Sequence, residues 1–512
     1  MRYLVNAEEM QRMDRNTSEI LGIPGMVLME RASLAARDRI LQWLKERGYD
    51  LHPKGRPVPD VLILAGVGNN GGDGLALARL LCEEGIDVSI WCVGETSKAS
   101  AQWTKQRHIL EYYPVRFCEK PQKEHYTVLV DALFGVGLSR EITGKFADAV
   151  DTFGVLNGYK IALDIPSGIS SDTGAVMGCA VRADETVTFG FEKRGLYLFP
   201  GNDHAGRITL ADIGITDKAF CGQTPGMFCL DAEDIPNLLP KRQADGNKGT
   251  FGKVLVIAGC KGMAGAAILA ARAAYRSGAG MVRVVTDESK RQIIQSALPE
   301  ALFSTYEELN AGIYWADVLV IGPGISQSDT AAECMQKVIR TPEKPLVVDA
   351  DGLNLLVRYE NLKKQLAKRE GLCILTPHMG ELARLADRQV EELKKQTWEH
   401  CMKLASQLQC VVVGKDARTY VCAENKTVCM NIYGNSGMAT AGSGDVLAGV
   451  LGGLMAQNKS LEDAFYIACL GVYLHAAAGD LVAAQKGVHG CMAGDIADAV
   501  SIAIRDTVRG SK

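Results

Sequence analysis

The chain has 512 residues, 47% hydrophobic and 23% charged, a balance that excludes a disordered or fibrous protein and allows a large buried core. Its net charge of −4, without a long basic stripe, argues against a nucleic-acid surface. The 15 cysteines are scattered and form no C-x-x-C pair, a pattern that suits a reducing compartment and offers no zinc site.

So long a chain calls for two or three domains. The opening residues, MRYLVNAEEMQRMDRN, carry charges where a signal peptide needs an apolar core. No apolar run is read as approaching the ~20 residues of a membrane span. The expectation is a cytoplasmic protein with no membrane or nucleic-acid partner.

Residues 3–47 read as two helices, the second with apolar residues three and four apart. Val61–Ala65 is an apolar strand that runs into the loop Gly66–Gly74 and then the helix LALARLLCEEG. Strand, glycine loop and helix form the phosphate-binding turn of a doubly wound sheet. Gly66, Gly68 and Gly71 satisfy G-x-G-x-x-G, and Glu95 follows the next strand, so a nicotinamide-dependent dehydrogenase is one reading. Asn69, Asn70 and Asp73 add polar groups that a plain pyrophosphate loop does not need; they suit a site that also orients hydroxyls or a cation.

Two further strands end in carboxylates, Asp131 and Asp164, the latter followed by Ile165-Pro166-Ser167-Gly168. Parallel strand ends share one edge with the glycine loop, where ligands bind, although either Asp would also serve as a loop or helix cap. Asp131, Asp164, Asn70 and Ser167 make an oxygen-rich set suited to a hard cation. The strand Thr186–Phe189 carries Glu192, Lys193 and Arg194 towards the same region.

GVGNNGGDG, VDALFGVG, LDIPSG and TVTFGFEKRG, in this order, resemble the NAD(P)H-hydrate epimerase domain, also called the YjeF N-terminal domain. The resemblance implies a Rossmann-like three-layer fold over residues 1–216. It implies potassium ligation by Asn70, Asp131 and Ser167. It also implies contacts to a hydrated nicotinamide nucleotide from Asn69, Asn70, Gly71, Gly72 and Asp73, and from Gly135, Val136, Gly137, Leu138, Ser139, Arg140 and Glu141. Asp164 matches a substrate-binding residue and, with Lys193, is the candidate pair for acid–base work.

The stretch TDKAFCGQTPGM reads as a connector near residues 216–226, and a second β/α alternation starts after it. Strands in GKVLVIAG, MVRVVT, DVLVIGPG, PLVVDADGLNLL and LCILTPHMGELARL each feed a polar or glycine-rich turn, which implies a second doubly wound layer structure over 227–512. The alanines of GMAGAAILAARAAYRSG fit close helix–sheet packing. His378 sits at a strand end before a helix, either as a ligand residue or as a capped turn. Lys415 and Arg418 occupy a hairpin turn, where they either meet phosphates or are solvated. His475 lies among apolar neighbours and reads as a core side chain.

The stretch Gly434–Asp445 sets small residues over the start of the apolar helix VLAGVLGGL. Unpaired N–H groups and the helix dipole there favour an anion. Asp445 is then either a helix cap or a base that takes a proton from a hydroxyl about to be phosphorylated.

GKVLVIAGCKGMAGAA, IGPG, VVDADGLNLL, TPHMGE, GKDART and GNSGMATAGSGD resemble the NAD(P)H-hydrate dehydratase family, whose fold is ribokinase-like. The resemblance implies that Ala264, Gly324, His378 and Asp445 face the hydrated nucleotide. It implies nucleotide contacts from Lys415, Asp416, Ala417, Arg418 and Thr419, and from Gly442, Ser443 and Gly444. Ser436, Ala441 and Ser443 stand where Pro, Gly and Thr are commoner; Ser443 keeps the hydroxyl. The expected activity is therefore bifunctional. One half epimerises the R and S forms of hydrated NAD(P)H. The other dehydrates the S form with ADP and Mg²⁺, releasing AMP and phosphate, and the assembly is a homo-oligomer. The alternatives are a small-molecule kinase fused to a Rossmann-like nucleotide module, the dehydrogenase, and a non-catalytic binding module.

Overall fold

The computed structural model describes residues 1–49, 58–458 and 463–510. The chain forms two compact units, Tyr3–Gly226 and Met227–Lys512 with Met1–Arg2. Both are α/β structures built on parallel sheets.

In the first unit the strand order is Arg116–Cys118, Asp87–Cys92, Asp60–Ala65, His125–Ala132, Asn157–Leu163, Glu185–Phe189, Arg207–Ala211, every neighbouring pair parallel. Strands covered by helices on both faces need apolar side chains in both directions, hence the unbroken run Val61-Leu62-Ile63-Leu64. Val61 and Ile63 pack with Leu28, Ile40 and Leu75 on one face; Leu62 and Leu64 pack with Val150 and Phe153 on the other. That is the expected three-layer arrangement. Residues 3–47 are not helical throughout, however. Arg2–Val5 is a strand, paired through Leu4 and Val5 with Glu192 and Lys193, before the helices Ala7–Glu19 and Gly25–Glu46. A four-residue strand with two buried positions leaves no periodic signal long enough to read.

In the second unit the order is Leu302–Ser304, Met281–Val285, Lys253–Ile257, Val318–Ile321, Leu346–Val348, Cys373–Leu375, Val411–Gly414, Thr419–Cys422, Val428–Asn431 and Met227–Cys229. Pairing is parallel as far as Val411–Gly414, then antiparallel through the two hairpin strands. The helix Ala264–Arg276 uses its alanines against another helix, Ser443–Ala456. A Cβ placed on Gly449 would stand 2.1 Å from the Ala270 carbonyl oxygen, and one on Gly453 2.1 Å from Ser277 Oγ. The small residues on both sides therefore form a helix–helix seam.

The helix Phe465–Lys486 is, at 22 residues, long and apolar enough by length and composition to cross a membrane, which corrects the reading that no run approaches that size. Most of it is buried in the fold: 72% of its most apolar window is covered.

Gly449→Ala should cost about 1–3 kcal/mol, because the new methyl meets the Ala270 carbonyl and the Ala273 methyl, neither of which can swing away. The check is a lowered unfolding midpoint; an unchanged midpoint would show that the seam relaxes freely.

Candidate active sites

A cavity of about 560 Å³ opens in the first unit at the C-terminal edge of its sheet. Asn69, Asn70 and Asp73, from the helix Asn69–Glu83 that follows the glycine loop, line it together with Gly135, Val136, Gly137, Leu138, Asp164 and Lys193. Gly71 and Gly72 do not line it. A Cβ on Gly71 would lie 1.9 Å from the Gly66 oxygen and one on Gly72 2.6 Å from Met29 Cε, so both glycines pack the turn. Ser139, Arg140 and Glu141 do not line it either; the loop turns at Gly135–Leu138 and leads away to Ile142, whose N–H donates to Met177.

Asp164 has φ 68°, a left-handed backbone that non-glycine residues rarely adopt and that occurs where a site is held in place. Its carboxylate accepts from Lys193 Nζ at 2.5 Å and from the Phe189 N–H at 3.3 Å. Lys193 is fully buried and also donates to Thr188 Oγ1 and the Phe189 carbonyl, so all three ammonium donors are engaged. Its neighbours in sequence turn elsewhere, contrary to expectation. Glu192 accepts from the Tyr197 hydroxyl, and Arg194 binds Glu9 and the Leu4 carbonyl. Consecutive residues of extended backbone point to opposite sides, so only one of the three reaches the cavity.

Burial and then the nearby charges of Asp164 and Asp14 hold the Asp73 carboxyl well above the usual carboxylate range. Asp14, which also lines the cavity, is raised by burial and by Asp164. It comes from the polar side of the first helix, where a sequence offers nothing to distinguish it from a solvated residue.

Asp131 is buried and accepts from Ser167 N–H at 2.7 Å, Ser167 Oγ at 2.6 Å and Leu133 N–H at 3.2 Å. Burial nevertheless pushes it up to about 6. Both polar atoms of the Asn70 amide are buried without a hydrogen-bond partner among the described residues, a cost that calls for a ligand. Glu95 is exposed, pairs with Lys98 at 2.7 Å and does not line the cavity.

In the second unit the helix Ser443–Ala456 starts at Gly442, whose φ of 91° needs glycine. Asp445 lies in its first turn, half-buried. Burial and the charge of Asp349 push its carboxyl up to about 7, against the opposing pull of Lys415. Lys415 Nζ donates to Asp349 Oδ1 at 2.7 Å, and the Thr376 hydroxyl donates to the same oxygen at 2.7 Å. These three residues follow the adjacent strands Leu346–Val348, Cys373–Leu375 and Val411–Gly414. A Cβ on Gly444 would stand 3.1 Å from Lys415 Nζ and 3.6 Å from Asp349 Oδ2. The ion pair therefore faces the open end of the helix.

His378 is a capped turn. Its Nδ1 accepts from Gly380 and Glu381 N–H while Glu381 accepts from His378 N–H. Burial, then Lys415 and Arg384, lower its pKa, so the ring is neutral and Nε2 is the nitrogen left towards Glu381 Oε1 at 3.3 Å. Its backbone pairs with Lys415, so the cap still stands on the ligand edge. Ala264 opens the helix Ala264–Arg276, and a Cβ on Gly324 would press on Met263 and Ala266 of the same turn. Asp416 and Ala417 are exposed in the hairpin turn that Lys415 and Arg418 flank, and Thr419 begins the return strand. His475 is buried, with Nε2 3.3 Å from Ser443 Oγ and a pKa pushed down to about 4. Asp349 and Thr376 escaped sequence reading, although a carboxylate and a hydroxyl directly after two apolar strands are the available signal.

A family model described as NAD(P)H-hydrate dehydratase matches residues 254–501, and one described as YjeF-related protein N-terminus matches 25–195. The bifunctional NAD(P)H-hydrate repair enzyme Nnr of Moorella thermoacetica is 34% identical, over 98% of this chain and 97% of its own. The enzyme of the same name from Escherichia coli K12 is 34% identical, over 96% and 92%. Among solved structures, a ribokinase-like superfamily protein from Enterococcus faecalis aligns with TM-score 0.50 and 28% identity, covering 56% of this chain and 97% of its own.

Asp445 should titrate with a midpoint near 7, read from the carboxyl carbon shift of labelled protein. A midpoint near 4 would mean that water reaches the helix end freely.

Proposed function

The chain belongs to the family of bifunctional NAD(P)H-hydrate repair enzymes, and we propose how its two units divide the work. The substrate is NAD(P)H with water added across the nicotinamide 5,6 double bond. Its C6 hydroxyl is a poor leaving group, and phosphorylation makes it a good one. Asp445 takes the hydroxyl proton as the oxygen attacks the terminal phosphoryl group of ADP, and AMP departs. The amides of Gly442, Ser443 and Gly444 and the Lys415 ammonium hold the transferring group. The ring nitrogen lone pair then expels phosphate, and loss of a C5 proton restores the double bond. The observation that carries this reading is a carboxyl poised near 7 at a helix N-terminus, since a general base works best near the operating pH.

Magnesium would neutralise phosphate charge. Among the described residues no group of three or more His, Cys, Asp or Glu side chains gathers to hold a metal.

In the first unit, inversion at C6 requires a proton given and a proton taken. Asp164, bound by the Lys193 ammonium, is the base. Asp73, whose carboxyl burial holds well above the usual carboxylate range, lines the same cavity and complements Lys193 as donor. Asn70, Asp131 and Ser167 would hold potassium; the orphaned Asn70 amide and an all-oxygen donor set fit that cation, which would supply a fixed positive charge beside the glycine loop.

The test supplies both isomers of hydrated NADH with ADP, Mg²⁺ and K⁺ and follows reduced-nicotinamide absorbance and released phosphate. The parent should restore both isomers. Asp445→Ala should restore neither yet still interconvert them, and Asp164→Asn should restore only the S form. A stable phosphorylated product without free phosphate would instead identify a kinase.

Dehydration should fall about tenfold per unit of pH below the Asp445 midpoint, because only the ionised carboxylate accepts the proton. A flat profile from pH 5 to 8 would remove Asp445 as base.

A further inference from the structure

Lys415 follows a strand, beside the exposed turn residues Asp416 and Ala417, yet its side chain is only 19% exposed. Its Nζ is bound to Asp349 and stands 3.1 Å from where a Gly444 side chain would begin. Asp349 is 1% exposed and accepts a second hydrogen bond on the same oxygen from Thr376. A lysine stem is flexible, and its compact charge has no preferred direction of its own. Two strand ends therefore fix where the cation sits, and they fix it over the open turn of a helix that already favours an anion.

A carboxylate beside an anion-binding turn opposes the anion unless it serves another group there. Asp349 serves two. Its oxygen fixes the Lys415 ammonium, which keeps two further donors for a phosphoryl group. Its charge also faces Asp445. The charged groups that act on Asp445 are Asp349 and Asp351, which disfavour its ionised form, and Lys415, which favours it; His475, on the neighbouring helix beside Ser443, is neutral.

Resting on the dehydratase reading above, we propose that Asp349 is a positioning residue of that reaction: it holds the Lys415 ammonium over the Gly444 turn and sets a negative charge beside Asp445. It touches neither substrate nor the transferring group. Both effects act through a neighbour.

The experiment is the pH profile of kcat for phosphate release from the S form with ADP, in the parent, Asp349→Asn, Lys415→Gln and the double variant. Asp349→Asn keeps the acceptor for Thr376 but loses the charge. It should lower kcat on the order of 10²-fold with little change in KM for the hydrated dinucleotide, as a misplaced group does. Its acidic limb should move down by about one unit, since an ionised neighbour has gone. Lys415→Gln should move the limb up, because the Asp349 charge then acts unopposed. The double variant should be no slower than the slower single variant. Limbs that coincide with that of the parent, or losses that multiply, overturn the proposal. If Asp349→Asn does not fold, the Lys415→Gln limb decides alone: upward supports the proposal and unmoved overturns it. A parent that releases no phosphate would sink the dehydratase reading itself.

Discussion

The first turn of the helix Ser443–Ala456 makes two demands that conflict. Its unpaired N–H groups and dipole favour an anion, and Gly442 and Gly444 leave the backbone bare enough for one to approach. Yet Asp445, an acid, stands in the same turn. Burial and Asp349 resolve the conflict by weakening that acid to about 7. At neutral pH the carboxyl can then carry or release a proton at little cost, and a phosphoryl group meets less than a full negative charge. Lys415, held by Asp349, sets a cation beside the same turn, as the proposed phosphoryl transfer requires. The rest of the unit serves to bring three strand ends and one helix end to a common edge.

The first unit meets a related problem with different parts. Its cavity collects Asp14, Asp73 and Asp164 around one lysine, so the carboxylates cannot all ionise cheaply. Lys193 is fully buried and donates hydrogen bonds to three acceptors, one of them Asp164. Burial and the neighbouring acids hold Asp73 well above the usual carboxylate range, and groups whose environments push them apart divide acid and base roles. The positive φ of Asp164 is part of the same arrangement, because it turns the carboxylate back towards Lys193 and the Phe189 amide.

Much of this was legible in the chain. Strand, glycine loop and helix is a local signal, as is a carboxylate after an apolar strand, and both lead to the correct sheet edges. Asp445 stood out because an acid after Gly-Ser-Gly is chemically odd. What stayed hidden depends on partners distant in sequence. The family resemblance singled out Lys193, but not that Asp164, Thr188 and the Phe189 carbonyl take all three of its donors. Asp349 acquires meaning only beside Lys415, 66 residues later. The strand Arg2–Val5 is too short for its period to register. The alanines of Ala264–Arg276 were readable as tight packing against the sheet; that they also pack against the helix Ser443–Ala456 was not.

The central claim is that the C6 oxygen leaves as part of phosphate rather than as water. Hydrated NADH labelled with ¹⁸O at that hydroxyl tests it directly, with the released phosphate analysed by mass. One labelled oxygen in each phosphate is the result this account predicts. Unlabelled phosphate, with the label recovered in water, would contradict it.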